Sequence, residues 1–402
     1  MAVHTSCLLL FLGWLRAVGG FPYRWRWGMW GQLEARRSVV VAVWSWVFVV
    51  TLSTLALACV FNTPVFKEGV ADTSARILNY VNYSTSILFL VYLRLRHSRL
   101  ALILRHLEDA GVPLRRRLVH WDDAVQLTCT TGMLVGLSVA TFSSVSDFFV
   151  RPLTRQVVLY HIPATTCDIA IEITALVLSL LLYFILKVVS LEGDAAVTTA
   201  TASTLTWKAG LAGPRLQLRN GRGRMWKGCS GRGRLPVEEV LRLVSRRLLE
   251  LDDIVEQLVE YGGPPAGMIL LCSALNATVM LYLTISKFDY YYMAFITLKV
   301  LSIVQVTFIP DWLWCKREEH LRLMRRQLST NIYCASVEAA LKDVEKVVAG
   351  GTTFRVCRLF TLDRHIILSV ASSVVTYLVI ALQFGVSETP GRRSFSANCS
   401  QV

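Results

Sequence analysis

The sequence predicts an all-α membrane protein with seven transmembrane helices, a cytoplasmic N-terminus and an extracellular C-terminus. Three observations carry this reading. Only 17% of the 402 residues are charged and 54% are hydrophobic, too few charges to cover a water-soluble fold, where about 25% is usual. Seven apolar runs approach or exceed the length of a membrane crossing, which takes about 20 residues. The basic residues alternate between dense and sparse connections, as topology demands.

The N-terminal run Cys7–Leu15 has the length of a signal-peptide core but lacks a basic region before it and meets Arg16 at once. It is read as part of the chain rather than as a cleaved signal. The stretch that follows, Phe21-Pro22-Tyr23-Arg24-Trp25-Arg26-Trp27, suits a membrane interface.

The expected spans are Val39–Phe61, Ile77–Leu93, Val125–Ser146, Ile169–Leu186, Ala266–Ser286, Met293–Trp314 and Ile366–Val386. The first, third, fifth and seventh hold no charge. The second is short and polar, with Asn79, Asn82 and hydroxyls from Ser84 to Ser86; the fourth holds Glu172, and the sixth holds Lys299 and Asp311. Lipid offers no partner to a backbone N–H, so each run closes its own hydrogen bonds as a helix.

Assigned to connections, 34 of the 42 basic residues fall in alternate compartments beginning with the N-terminal segment, and 7 fall in the others. The remaining one, Lys299, lies inside a span. Leaving out the longest connection, where the positive-inside rule is weaker, still gives 22 against 7. The same distribution accounts for the net charge of +14 without nucleic acid.

The resulting organisation is a cytoplasmic segment 1–38, a six-helix region 39–314 with a long cytosolic loop 187–265, cytosolic helices over 315–365, a last span at 366–386 and an extracellular tail 387–402. Within the loop, Gly210–Arg234 is rich in glycine and arginine and reads as a flexible linker, since neither supports a packed core. Val237–Val259 then shows helical period through Val240, Leu241, Val244, Leu248, Leu251, Val255 and Leu258, and Gly262-Gly263-Pro264-Pro265 is expected to end it. A second amphipathic stretch, Glu318–Val348, aligns Leu321, Met324, Leu328, Ile332, Val337, Leu341 and Val344. The apolar faces need cover from each other, from the N-terminal segment or from a neighbouring subunit.

Catalytic and metal-binding signatures are absent. The ten cysteines form no C-x-x-C pair, the histidines never fall at i, i+4, and there is no phosphate loop and no G-x-S-x-G. Neither an enzyme nor a bound cofactor or metal is expected. Sequons begin at Asn82, Asn276 and Asn398; the first two lie within spans and are silent on this topology, and the third is in the outer tail.

The last span reads Thr376-Tyr377-Leu378-Val379-Ile380-Ala381-Leu382-Gln383-Phe384. Upstream stand Gly351 and the run Phe360, Leu362-Asp363-Arg364, and the chain opens with Leu15-Arg16 followed by Gly20-Phe21-Pro22-Tyr23. These stretches resemble the insect gustatory receptor family: the T-Y, five hydrophobic residues, Q-F signature in Thr376, Tyr377, Gln383 and Phe384, the F-x-L-D-R approach to it, and the family's opening motif. The resemblance implies a ligand-gated, non-selective cation channel for small-molecule tastants. It implies a tetramer of like or related subunits whose last helix lines the pore, a ligand site among the second to sixth helices, and an anchor domain in the cytosolic helices. Leu378 stands where sugar-receptor relatives carry an acidic residue, which favours a bitter-like or divergent branch.

The residues of the last helix agree with a pore on their own terms. Thr376, Ile380 and Gln383 share one helical face and Ser372 and Ser373 extend it. A hydroxyl stripe beside an apolar ring suits gating by dewetting, although the same residues serve as glue between packed membrane helices.

Glu172 and Lys299 are the ligand-pocket candidates. Counted from their span starts at about 1.5 Å per residue, they lie at depths of roughly 5 and 9 Å on the same side. They face one another or a shared polar cavity, unless both snorkel to the headgroups. A G-protein-coupled receptor would need the opposite orientation and D-R-Y and N-P-x-x-Y motifs, which are missing. An odorant-receptor-like channel subunit is the nearer alternative.

Overall fold

The computed structural model describes residues 12–17, 23–27, 33–61, 70–110, 132, 162–208, 236–286, 290–329, 334–356 and 359–387. The expected third span, the Gly/Arg-rich stretch 210–234 and the tail beyond 387 lie outside these residues, apart from Gly132.

Among the described residues the longer helices are α1 Val39–Phe61, α2 Val70–Asp109, α3 Ile162–Lys208, α4 Val237–Ser286, α5 Tyr290–Ser329, α6 Ala335–Gly350 and α7 Arg364–Ser387. Two small hairpins accompany them, β1 Tyr23–Trp27 with β2 Leu33–Arg37, and β3 Arg355–Val356 with β4 Phe360–Thr361. The first falls on the interfacial stretch, where Tyr-Arg-Trp-Arg-Trp alternates with the period of a strand. Among the described residues, α1, α3, α4, α5 and α7 are long and apolar enough to cross a membrane. The second expected span lies in α2, which is not among them; its asparagines, hydroxyls and basic residues make it more polar.

Several helices run past their spans. The span Ile169–Leu186 continues to Lys208, and the connection 187–265 is helical over 187–208 and 237–265 rather than loop. The expected stop at Gly262-Gly263-Pro264-Pro265 does not occur: α4 is one helix from Val237 to Ser286. A proline has no N–H and its ring crowds the carbonyl four residues back. Here the affected carbonyls belong to Glu260 and Tyr261, and the Tyr92 hydroxyl of α2 reaches both. A packed neighbour thus tolerates what would end an isolated helix.

α4 is the hub. It packs against α2, α3, α5, α6, α7 and the β3 strand. The main core buries Leu93, Leu100, Leu181, Ile185, Leu258 and Tyr261, together with Leu12 and Leu15 of the short helical segment 12–17. Residues 12–17 are therefore packed against the bundle, and Trp14 also donates to Thr174 at 3.4 Å.

The amphipathic faces read from the sequence meet at the far end of the bundle. Leu241, Val244, Met324, Val337, Leu341 and Val344 form a second core with Ala196, Val197 and Ala200 from the extension of α3. The faces cover each other, and α3 supplies the rest. The stretch 318–348 is divided between the end of α5 and α6, with Cys334 immediately before α6.

Candidate functional site

Toward one end of the bundle, four helices enclose a recess of about 580 Å³ counted with its mouth. α2 supplies Asn82, Ser86 and Phe89 at i, i+4, i+7; α4 supplies Ile269, Cys272, Ser273 and Asn276 at i, i+3, i+4, i+7. α3 adds Glu172 and α5 adds Phe295 and Lys299 one turn apart. Each set is one helical face, so four unremarkable spacings converge only when the helices pack.

Glu172 and Lys299 are brought together. The Lys299 ammonium donates to the Glu172 carboxylate, and their side chains are 7% and 13% exposed, respectively. Both charges are thus largely enclosed by the chain itself. Pairing offsets the desolvation that each charge alone would suffer. The Lys299 ammonium also lies 5.6 Å from the centre of the Phe295 ring.

Beside this pair is a second polar bridge that the sequence reading passed over. Asn82 and Asn276, noted only as silent sequons, exchange two amide hydrogen bonds of 2.9 and 2.7 Å across α2 and α4. Asn276 also donates to the Cys272 carbonyl at 2.8 Å. An amide inside an apolar span needs a partner, and that requirement was the available signal. With both bridges closed, the enclosed free space is about 50 Å³.

The middle of α4, just before its recess residues, holds the approach to α7. Gly263 sits so close to the hairpin that an added Cβ would lie 2.9 Å from the Arg355 carbonyl oxygen, and at Gly267 it would lie 2.5 Å from Val356 Cγ1. Asp252 of α4 accepts the Thr352 N–H at 2.8 Å, while Arg317 of α5 donates to the Gly351 and Thr352 carbonyls. Asp363 accepts the His365 N–H at 2.9 Å and so caps α7. These contacts give the Gly351 and F-x-L-D-R features local structural roles.

α7 touches the main core through Ile366 and Val370 but is otherwise little covered by the described residues. None of its apolar stretch His365–Gln383 is buried by the rest of the chain. Thr376, Ile380 and Gln383 are exposed, as is Tyr377. The Thr376 hydroxyl is satisfied within the helix by the Ser372 carbonyl at 2.9 Å, and Ser373 by Ser369 at 2.9 Å. Phe384 lies in the same helix. The signature residues and the Glu172–Lys299 pair therefore occupy separate places, linked through α4. Among the described residues no group of histidine, cysteine and acidic side chains is arranged to hold a metal.

Comparison with known proteins joins these two regions. The family described as 7tm Chemosensory receptor matches residues 352–388, which are the hairpin approach and α7. The olfactory receptor OR5 from Machilis hrabei has a similar structure, with a TM-score of 0.61 at 13% identity over 94% of this chain and 98% of that one. Residues 352–388 thus carry a chemosensory-receptor signature, and the chain shares its fold with this olfactory receptor. The same olfactory receptor in complex with eugenol matches with a TM-score of 0.57 at 13% identity over the same shares. No curated protein sequence matches the chain. The shared fold and the long apolar helices are those of a multi-pass membrane protein. The α7 signature and the Glu172–Lys299 pair were legible in the sequence, whereas the Asn82–Asn276 bridge beside that pair was not.

Proposed function

We propose that this chemoreceptor is a gustatory receptor that works as a ligand-gated, non-selective cation channel for small-molecule tastants. The observation that carries the reading is the T-Y…Q-F stretch on an apolar helix that the rest of its own chain does not cover. Four copies around an axis give α7 its cover and turn Thr376, Ile380 and Gln383 toward a conduction path. Residues 315–365 serve as the anchor between subunits. Ligand enters the recess near Glu172 and Lys299, on the outer side of the membrane when the N-terminus is cytoplasmic.

The recess constrains the ligand. Two closed polar bridges fill it, so an occupant must part Asn82 from Asn276 or stand in for Glu172 or Lys299. An occupant without hydrogen-bonding groups would leave buried polar atoms unpaired, which costs more than the contacts return. Leu378 keeps the bitter-like or divergent branch ahead of sugar.

The test is current evoked by a tastant panel in a heterologous cell with G-protein signalling blocked. Current that survives the block, with permeability ratios altered by Gln383→Leu at unchanged surface expression, supports the reading. Responses abolished by the block would reject it. The second reading, an odorant-receptor-like channel subunit, is favoured by the likeness to OR5 and its eugenol complex. A requirement for a co-receptor to carry current would select it.

A further inference from the structure

α4 spans the distance between the recess and the approach to α7. Its residues from Met268 to Asn276 line the recess, and its Gly263 and Gly267 seat the β3–β4 hairpin. Pro264 and Pro265 lie within that seat, between Gly263 and Gly267, and one turn before the recess residues. Each proline takes one donor out of the helical ladder, Pro264 from the Glu260 carbonyl and Pro265 from the Tyr261 carbonyl. The Tyr92 hydroxyl lies 2.9 Å from the Tyr261 carbonyl oxygen and 3.4 Å from that of Glu260. Its single proton goes to the nearer oxygen, with the other within reach of a small shift.

Tyr92 is tied to the recess through its own helix. Phe89, one turn earlier on α2, lines the recess, and so does Asn82, whose amide is bonded to α4. Arg99, two turns later, pairs with the Glu260 carboxylate. The α2–α4 seam is therefore pinned on both sides of Tyr92.

We propose that Tyr92 is a positioning residue for gating: from α2 it supplies the donor that the double proline removes from α4, and so it sets the angle of α4 at which the hairpin sits. The proposal rests on the channel reading above. An occupant that parts Asn82 from Asn276 shifts α2 against α4. That moves the Tyr92 oxygen between the two carbonyls or off both, and the bend at Pro264–Pro265 changes. Because Gly263 meets the Arg355 backbone with no side chain between, a change in α4 carries the hairpin, and α7 follows through Asp363.

The test is a cycle of four full-length chains: wild type, Tyr92→Phe, Pro264→Ala/Pro265→Ala, and all three changes together. Tyr92→Phe keeps the ring and its packing on Tyr261, whose ring centre is 6.4 Å away, and removes only the hydroxyl. The alanines restore both backbone donors. Open probability is read without added compound and with eugenol as probe, alongside unitary conductance and surface expression. Hydrogen exchange over 351–363 is read on the detergent-purified proteins. Tyr92→Phe should change the open probability about five-fold, the population ratio that one net hydrogen bond amounts to, at unchanged conductance. It should also speed exchange in the hairpin. Both effects should vanish in the alanine background, where the hydroxyl has nothing left to cap. Equal effects in the two backgrounds, or faster exchange with unaltered open probability, would overturn the proposal. If no chain conducts, the gating role falls together with the channel reading, and an intact exchange cycle separates that outcome from failure of the cap itself.

Discussion

At the scale of single residues, the buried charges decide most. Lys299 and Glu172 have each other, and removal of one partner leaves an uncompensated buried charge, which costs about 3–5 kcal/mol. Glu172→Lys and Lys299→Glu should each abolish the response to ligand, and the double swap should restore part of it. Dose–response curves check this, and single variants with unmoved curves would take the pocket away from this pair. A different residue carries a chemical prediction. The Cys334 thiol, at the start of α6, is held below its ordinary value, first by its contact with the Ser336 hydroxyl at 3.2 Å and then by the backbone N–H groups at the helix start. A lowered value means more thiolate at a given pH, and the thiolate is the nucleophile. Iodoacetamide labelling of Cys334 should therefore begin at lower pH than for an ordinary thiol. Ser336→Ala should shift the labelling profile upward in pH.

At the scale of elements, α4 shows how a neighbour overrides a local rule. Gly-Gly-Pro-Pro is a stop signal in an isolated helix, yet here α2 supplies the donor and α3 and the hairpin need the missing side chains. An added Cβ on Gly262 would lie 2.9 Å from a Leu182 methyl. Helix propensity alone would make alanine better than glycine by about 0.8–1 kcal/mol. Steric contact opposes this, at about 1–3 kcal/mol for an overpacked site. At Gly263 the obstacle is the Arg355 backbone oxygen, which cannot turn aside; at Gly267 it is a valine methyl, which can. Gly263→Ala should therefore lower the melting temperature of the purified protein more than Gly267→Ala. The reverse order would mean that the hairpin is not seated on Gly263. The amphipathic stripes along α4 and α6 needed no such correction, because burial of an apolar face follows from spacing alone.

At the scale of the whole molecule, the uncovered α7 and the charge asymmetry point outward from the single chain. An apolar helix of 24 residues with none of its spanning stretch buried faces lipid or other copies, and its hydroxyls and Gln383 favour copies around water. The basic residues concentrate in the connections that the sequence assigns to the same compartment as α6, and the recess is expected on the opposite side. An epitope tag placed after Val402 should be labelled on intact cells, with an N-terminal tag labelled only after permeabilisation. The opposite pattern would turn the recess to the cytoplasm and remove it as a site for external tastants.

The sequence by itself determined that the chain crosses a membrane, which faces of its cytosolic helices are apolar, and that its last helix carries the chemoreceptor signature. These follow from local composition and spacing, which folding does not alter. Glu172 and Lys299 were legible as a candidate pair because charges in spans are costly and few. Tertiary structure alone decided that α4 continues through two prolines, since the compensating hydroxyl of Tyr92 comes from 172 positions earlier than Pro264 in the chain. It alone joined Asn82 to Asn276, because an asparagine in a span announces a need for a partner but not which helix provides it. It also extended α3 to Lys208, where Ala196, Val197 and Ala200 carry too weak an apolar signal to declare a core until α4 and α6 close over them.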